Sequence, residues 1–170
     1  MSNIFDRTSV RKYTDEKVSP EQIELLLKAA MAAPSARNVQ PWEFLVVQEK
    51  STLIKMAEFI AAGQMLKGAA AAIVVCADTA KEFETLKGKN YWIQDCSAAT
   101  QNIMLEATEL GLGSVWLGTF PKEEVIIPLK ELFNLPENIM PVTVISIGYP
   151  DGEVHPKDKF DKTKIHFEKW

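Results

Sequence analysis

Ser35, Asn38, Gln40 and Trp42 crowd one short run, Pro34-Ser35-Ala36-Arg37-Asn38-Val39-Gln40-Pro41-Trp42. Carboxamides both donate and accept hydrogen bonds, so this set suits the edge of a planar heterocycle with alternating donors and acceptors. Ordinary turn chemistry between a helix and a strand is the plainer reading of the same residues. A second cluster lies nearer the start. Arg7-Thr8-Ser9-Val10-Arg11-Lys12-Tyr13 sets Arg7, Arg11 and Lys12 around one serine. The guanidinium fork matches phosphate geometry, and a backbone bend at Ser9 would add N–H donors. A solvated basic turn is the common fate of three nearby charges. This chain, however, is acidic, with 19 Lys+Arg against 23 Asp+Glu. Cations gathered at one end of it point to a local anion site.

Other residues that carry chemistry read more plainly. His155 and His166 stand apart from any cysteine or carboxylate at ligand spacing, so no metal site is expected. Cys76 and Cys96 lack a CxxC spacing and read as buried free thiols of a reducing compartment. Glu123-Glu124 and the pair Glu82 and Glu84 read as solvated faces. Trp92 and Trp116 read as core. Neither a G-x-G-x-x-G nor a Walker-type glycine loop occurs, and no Ser/His/Asp arrangement is evident.

The elements that must position the two clusters follow from pattern. Ser19-Pro20-Glu21-Gln22 is a helix start: Ser19 caps, Pro20 fits the first position and Gln22 completes a capping box. Ile23, Leu26, Leu27 and Ala30 then share one face, and Pro34 ends the helix. Residues 44–47 predict a strand covered on both faces. A helix is expected over 50–61 with Leu53, Ile54 and Ala57 inward, then a buried strand over 69–77. The longest helical pattern spans 90–110, with Ile93, Cys96, Ala99, Ile103, Ala107 and Leu110 on one side and Gly111 as its stop. Small residues Ser97 to Thr100 suit it to close packing against a sheet. Strands are expected over 115–117 and 141–147. Between them, 121–133 predicts two short helical pieces interrupted at Pro128.

Composition bounds the answer. The length fits a single domain over 1–170, at roughly 150 residues per domain. An apolar content of 46% supports a core, and 25% charged residues is ordinary for a globular chain. A net charge of -4 argues against nucleic acid as a partner. No signal-like start is seen, and the apolar run over 69–77 is too short to span a membrane. A cytoplasmic protein is expected.

Arg7-x-Ser9-Val10-Arg11-x-Tyr13, followed by Ala33-Pro34-Ser35-Ala36-x-Asn38-x-Gln40-Pro41-Trp42, resembles the nitroreductase family of flavin enzymes. Gln94-Asp95-Cys96 through Asn102, Leu110-Gly111-Leu112-Gly113, Ser114 to Gly118, Ile147-Gly148-Tyr149-Pro150 and the tail ending His166-Phe167-x-x-Trp170 extend the resemblance over nearly the whole chain. The resemblance implies an α+β fold with a mixed, mainly antiparallel sheet flanked by helices, in an intertwined homodimer with flavin at the interface. It implies flavin mononucleotide (FMN) as cofactor and NADH or NADPH as co-substrate. Hydride would pass by a ping-pong route to a nitroaromatic, quinone or similar small acceptor. Enone reduction, dehydrogenation or flavin binding without turnover stay open as alternatives. By resemblance, Arg7, Ser9, Arg11 and Lys159 would hold the phosphate, and Pro34, Ser35, Ala36, Asn38 and Gln40 the ring. The backbone at Leu117 and Gly118 would approach it closely. No side chain is implied to be catalytic, since redox chemistry belongs to the cofactor. Thr8 stands where the family often has a second arginine, and Lys157-Asp158-Lys159-Phe160 where the tail often has one. The chain also is short for the family, without the insertion that elsewhere covers the site.

Overall fold

A computed structural model describes residues 3–82 and 87–170, so Glu84 lies outside the described residues. Among the described residues four strands make one sheet: β1 (Trp42–Val47), β2 (Ala71–Asp78), β3 (Gly113–Gly118) and β4 (Ile139–Gly148), in spatial order β1-β2-β4-β3. All three strand pairings are antiparallel. The only parallel pairing among the described residues is an isolated bridge between Ser9 and Ser114. β2 and β3 run the same way, joined by a long helix, but β4 inserts between them. The mainly antiparallel, α+β expectation holds.

The helices are α1 (Asn3–Asp6), α2 (Pro20–Met31), α3 (Lys50–Phe59), α4 (Trp92–Glu109) and α5 (Glu123–Phe133). The expected capping box opens α2. The Gln22 N–H donates to Ser19 Oγ at 3.2 Å, and Gln22 Oε1 accepts the Ser19 N–H at 3.0 Å. Gln22 Nε2 also donates to Tyr149 Oη, 2.9 Å away, which fixes the entry of α2 against the end of β4.

β2 explains why helices lie on both sides. Its period-2 alternation sends Ala71, Ile73, Val75 and Ala77 to one core and Ala72, Val74 and Cys76 to the other. The first core also takes Leu26 and Ala30 of α2 and Cys96, Ala99 and Ile103 of α4. The second takes Leu53, Met56 and Ala57 of α3 and Val125 and Leu129 of α5. A bulge between Val75 and Cys76 accommodates Pro141 within β4, since proline cannot donate to a regular ladder.

Three expectations are corrected. Residues 121–133 hold one helix, α5, with Pro128 inside it. Burial of Val125, Ile126 and Leu129, about 1.5–3 kcal/mol each, outweighs roughly 3 kcal/mol for an internal proline. In α3 Ile54 is 39% exposed, and Met56 takes the inward position. Trp116 is 36% exposed, because β3 is an edge strand and its even-numbered face is only partly covered. Trp92 is core, as expected.

The segment carrying the basic cluster is seated by two glycines. Gly113 and Gly148 pair across β3 and β4. A Cβ on Gly113 would lie 2.7 Å from Val10 Cβ, and one on Gly148 would lie 2.9 Å from the Tyr13 ring. The Val10 N–H donates to Ser114 O at 2.9 Å, and the Thr14 N–H to Tyr149 O at 2.9 Å. Tyr13 Oη lies 2.8 Å from Val10 O and 3.2 Å from Ser146 O, and burial pushes its pKa up to about 12. Gly113→Ala should therefore displace Val10 and lower stability by about 1–3 kcal/mol, measured as a lower urea midpoint at unchanged slope.

Candidate functional site

The amide run forms a bent turn. Its short 3-10 turn spans Ala36–Asn38. Arg37, Asn38 and Gln40 all sit at positive φ, at 55°, 56° and 51°. Each such non-glycine residue costs on the order of 1–3 kcal/mol and survives only where its surroundings dictate it. The Gln40 N–H donates to Ser35 Oγ at 3.0 Å, and Gln40 Nε2 to Asn38 Oδ1 at 3.1 Å. The turn is tied to α4 by the Ala36 N–H, which donates to Asp95 Oδ1 at 2.9 Å. With those bonds made, Asn38 keeps a donor in Nδ2 and Gln40 an acceptor in Oε1, both on exposed residues. A donor beside an acceptor is what the edge of a heterocycle requires. Pro34 is exposed, and Ser35 and Ala36 are half-buried beside these amides.

The edge of β3 contributes backbone. Ser114 O accepts from Val10, so Ser114 turns its backbone away from β4. By the alternation of an antiparallel ladder, the N–H groups of Trp116 and Gly118 also face the free edge. No atom lies within 4 Å of where a Gly118 Cβ would be, so the backbone there is open to close approach. The Leu117 side chain is buried in the second core, and by the same alternation its N–H and C=O face β4, so the open backbone is that of Gly118.

The basic cluster lines a cavity of about 1160 Å³ between the N-terminal segment and the tail. Arg7, Ser9, Arg11 and Lys12 meet Lys157 and Lys159 there, with Gln101 of α4 on its wall. Asp151, Glu153 and Asp158 also line it. The sequence-predicted anion residues are thus brought together within one chain, Lys159 included. The cavity lining holds none of Pro34, Ser35, Ala36, Asn38, Gln40, Leu117 or Gly118. The ring-edge and anion candidates therefore do not line one common cavity on a single copy.

Asp95, in the first turn of α4, is a site residue that its sequence position alone does not mark. It is 6% exposed, and burial raises its pKa while the Ala36 N–H opposes that rise. An acid in the first turn of a helix was the available signal; its partner 59 residues away was not visible. The remaining candidates are plain. Cys76 and Cys96 are free and buried, and burial pushes the Cys76 pKa up to about 12 and that of Cys96 upward too. Among the described residues no group of three His, Cys, Asp or Glu could hold a metal ion. His166 stacks on Trp170, with centroids 4.1 Å apart, within the tail. No described helix is long and apolar enough to cross a membrane.

Comparison with known proteins gives a consistent answer. The nitroreductase family model matches residues 4–78 and 60–149. A protein of Archaeoglobus fulgidus named "Putative NADH dehydrogenase/NAD(P)H nitroreductase" is 51% identical over 98% of this chain and 96% of its own length. An FMN-dependent nitroreductase from Clostridium difficile superposes with a TM-score of 0.90 at 34% identity, covering 99% of both chains. An FMN reductase [NAD(P)H] of Bacillus subtilis is 25% identical over 98% of this chain and 72% of its own length.

The strain in the turn makes its own prediction. Gln40→Val places a β-branched side chain at positive φ and should cost about 1–2 kcal/mol. Gln40→Gly should stay within about 1 kcal/mol of wild type. Urea unfolding of both variants measures the difference.

Proposed function

The chain belongs to the nitroreductase family, and from that premise we propose that it is an FMN-dependent oxidoreductase of reduced nicotinamides whose two sites are each completed by a second copy. The observation that carries the reading is the turn over 36–40, where three strained residues hold a free donor beside a free acceptor. The other groups fit the same ligand. Arg7 and Arg11 offer forked donors to a phosphate, Ser9 a hydroxyl, and Lys159 a point charge. The Gly118 N–H, on an edge with room for a flat ring, suits a ring nitrogen.

Bound FMN would supply two-electron redox chemistry. NADH or NADPH and then a nitroaromatic, quinone or similar acceptor would use one open face in turn, which is a ping-pong order. The protein residues bind and orient. Asn38 and Gln40 fix the ring edge, the cations neutralise the phosphate, and Trp116, partly exposed beside Gly118, excludes water from the same face. Residues 1–170 act in this reading as one flavin-binding domain, working in the cytoplasm.

The homodimer follows from separation and exposure. Anion and ring-edge candidates do not share a cavity in one copy. Large apolar side chains also stand in solvent: Phe5, Phe160 at 70% and Trp170 at 100% exposure. A second copy that covers them would bring one cluster to the other, and a twofold would place two identical sites.

The purified protein should be yellow and oxidise NADH or NADPH when a quinone is present; a colourless protein that takes up no FMN would end this reading. Arg11→Ala should weaken FMN binding one to two decades, from about 1.5–3 kcal/mol of lost charge-assisted bonding, as read by flavin fluorescence quenching. Arg11→Ala and Asn38→Ala variants, assayed at an FMN concentration that loads wild type but not either variant, should regain part of the activity when co-refolded at equal concentration. Absence of recovery in heterodimers verified by mass would mean each site belongs to one chain.

A further inference from the structure

We infer that Asp95 is the positioning residue for the ring-edge amides: by accepting the Ala36 N–H it holds the turn over 36–40, left-handed at Arg37, Asn38 and Gln40, in the geometry that presents Asn38 and Gln40 to FMN. This rests on the function proposed above. The bonds inside the turn, Gln40 N–H to Ser35 Oγ and Gln40 Nε2 to Asn38 Oδ1, shape it without orienting it against the sheet. The Asp95 bond orients it, because α4 is fixed at several points. Asn102 Nδ2 donates to Ala29 O at 3.0 Å, at the end of the helix that leads into the turn. Thr100 Oγ1 meets Thr143 Oγ1 of β4 at 2.9 Å. Trp92 packs edge-on against Phe120, just past Gly118, with centroids 4.9 Å apart. One helix thus refers the amides and the Gly118 edge to each other.

The plainer role for an acid in a first helical turn is to favour the helix dipole of α4. That role needs no partner outside the helix. Asp95 instead aims Oδ1 at an N–H 59 residues away, at the head of a turn with three left-handed residues, and is 6% exposed while doing so. Burial of a carboxylate is costly without such a bond. Its placement therefore serves the turn as well as α4.

Two variants separate the roles. Asp95→Asn keeps an Oδ1 acceptor at the same reach, while Asp95→Leu keeps the branched shape, is somewhat larger, and loses the acceptor. The FMN dissociation constant, measured by fluorescence quenching, should rise at least tenfold in Asp95→Leu and less than tenfold in Asp95→Asn. The visible circular dichroism of bound flavin should match wild type only in Asp95→Asn. A rise below tenfold in Asp95→Leu, or above it in Asp95→Asn, overturns the inference. Should Asp95→Leu not fold, hydrogen exchange of the Ala36 amide in the wild-type and Asp95→Asn FMN complexes decides. Protection in both supports the tether, and exchange at the rate of an open loop overturns it. Wild-type protein that takes up no FMN overturns the proposed function and this inference with it. Wild type that binds FMN beside an Asp95→Leu that binds equally overturns the inference alone.

Discussion

Burial of β2 on both faces is the constraint from which the architecture follows. Its residues from Ala71 to Ala77 are all buried, so neither face of this strand can meet water. Helices must then cover both sides: α2 and α4 on one, α3 and α5 on the other. That leaves only the outer strands for binding. β3 is the strand at which the N-terminal segment joins the sheet and at which Gly118 offers its backbone. The Gly118 backbone is open because β3 lies at the edge of the sheet.

Much of this was legible, and the legible parts are local. The capping box at Ser19 and Gln22 is written in four consecutive residues, and the structure has it. The α4 face from Cys96 to Ala107 repeats at helical spacing, so its burial could be read directly. What failed depended on neighbours distant in sequence. Pro128 breaks a helix by local rules, but Val125, Ile126 and Leu129 find a core to fill. Trp116 looks like core until the strand order leaves β3 at an edge. Asp95 could be seen at a helix start, while its partner Ala36 could not.

For the site, the residue types and the gathering of the cations were legible, and the frame that holds them was not. Arg7, Ser9, Arg11 and Lys159 do share one cavity. The seat that holds their segment, Gly113 and Gly148 beneath Val10 and Tyr13, reads in sequence only as two glycines near strand ends. The strain at Arg37, Asn38 and Gln40 is equally silent there, since none of these residues is glycine. Strain of that kind is affordable only in a well-fastened frame, and α4 is the fastener.

The two thiols carry a consequence of their own. Cys76 and Cys96 sit in the sheet and in the helix on it, inaccessible and held protonated by burial. A thiol reacts through its thiolate. Alkylating reagents and peroxide therefore reach these sulfurs only during openings of the central sheet and α4. Their labelling rate becomes a clock for those openings, read without any probe being added to the chain.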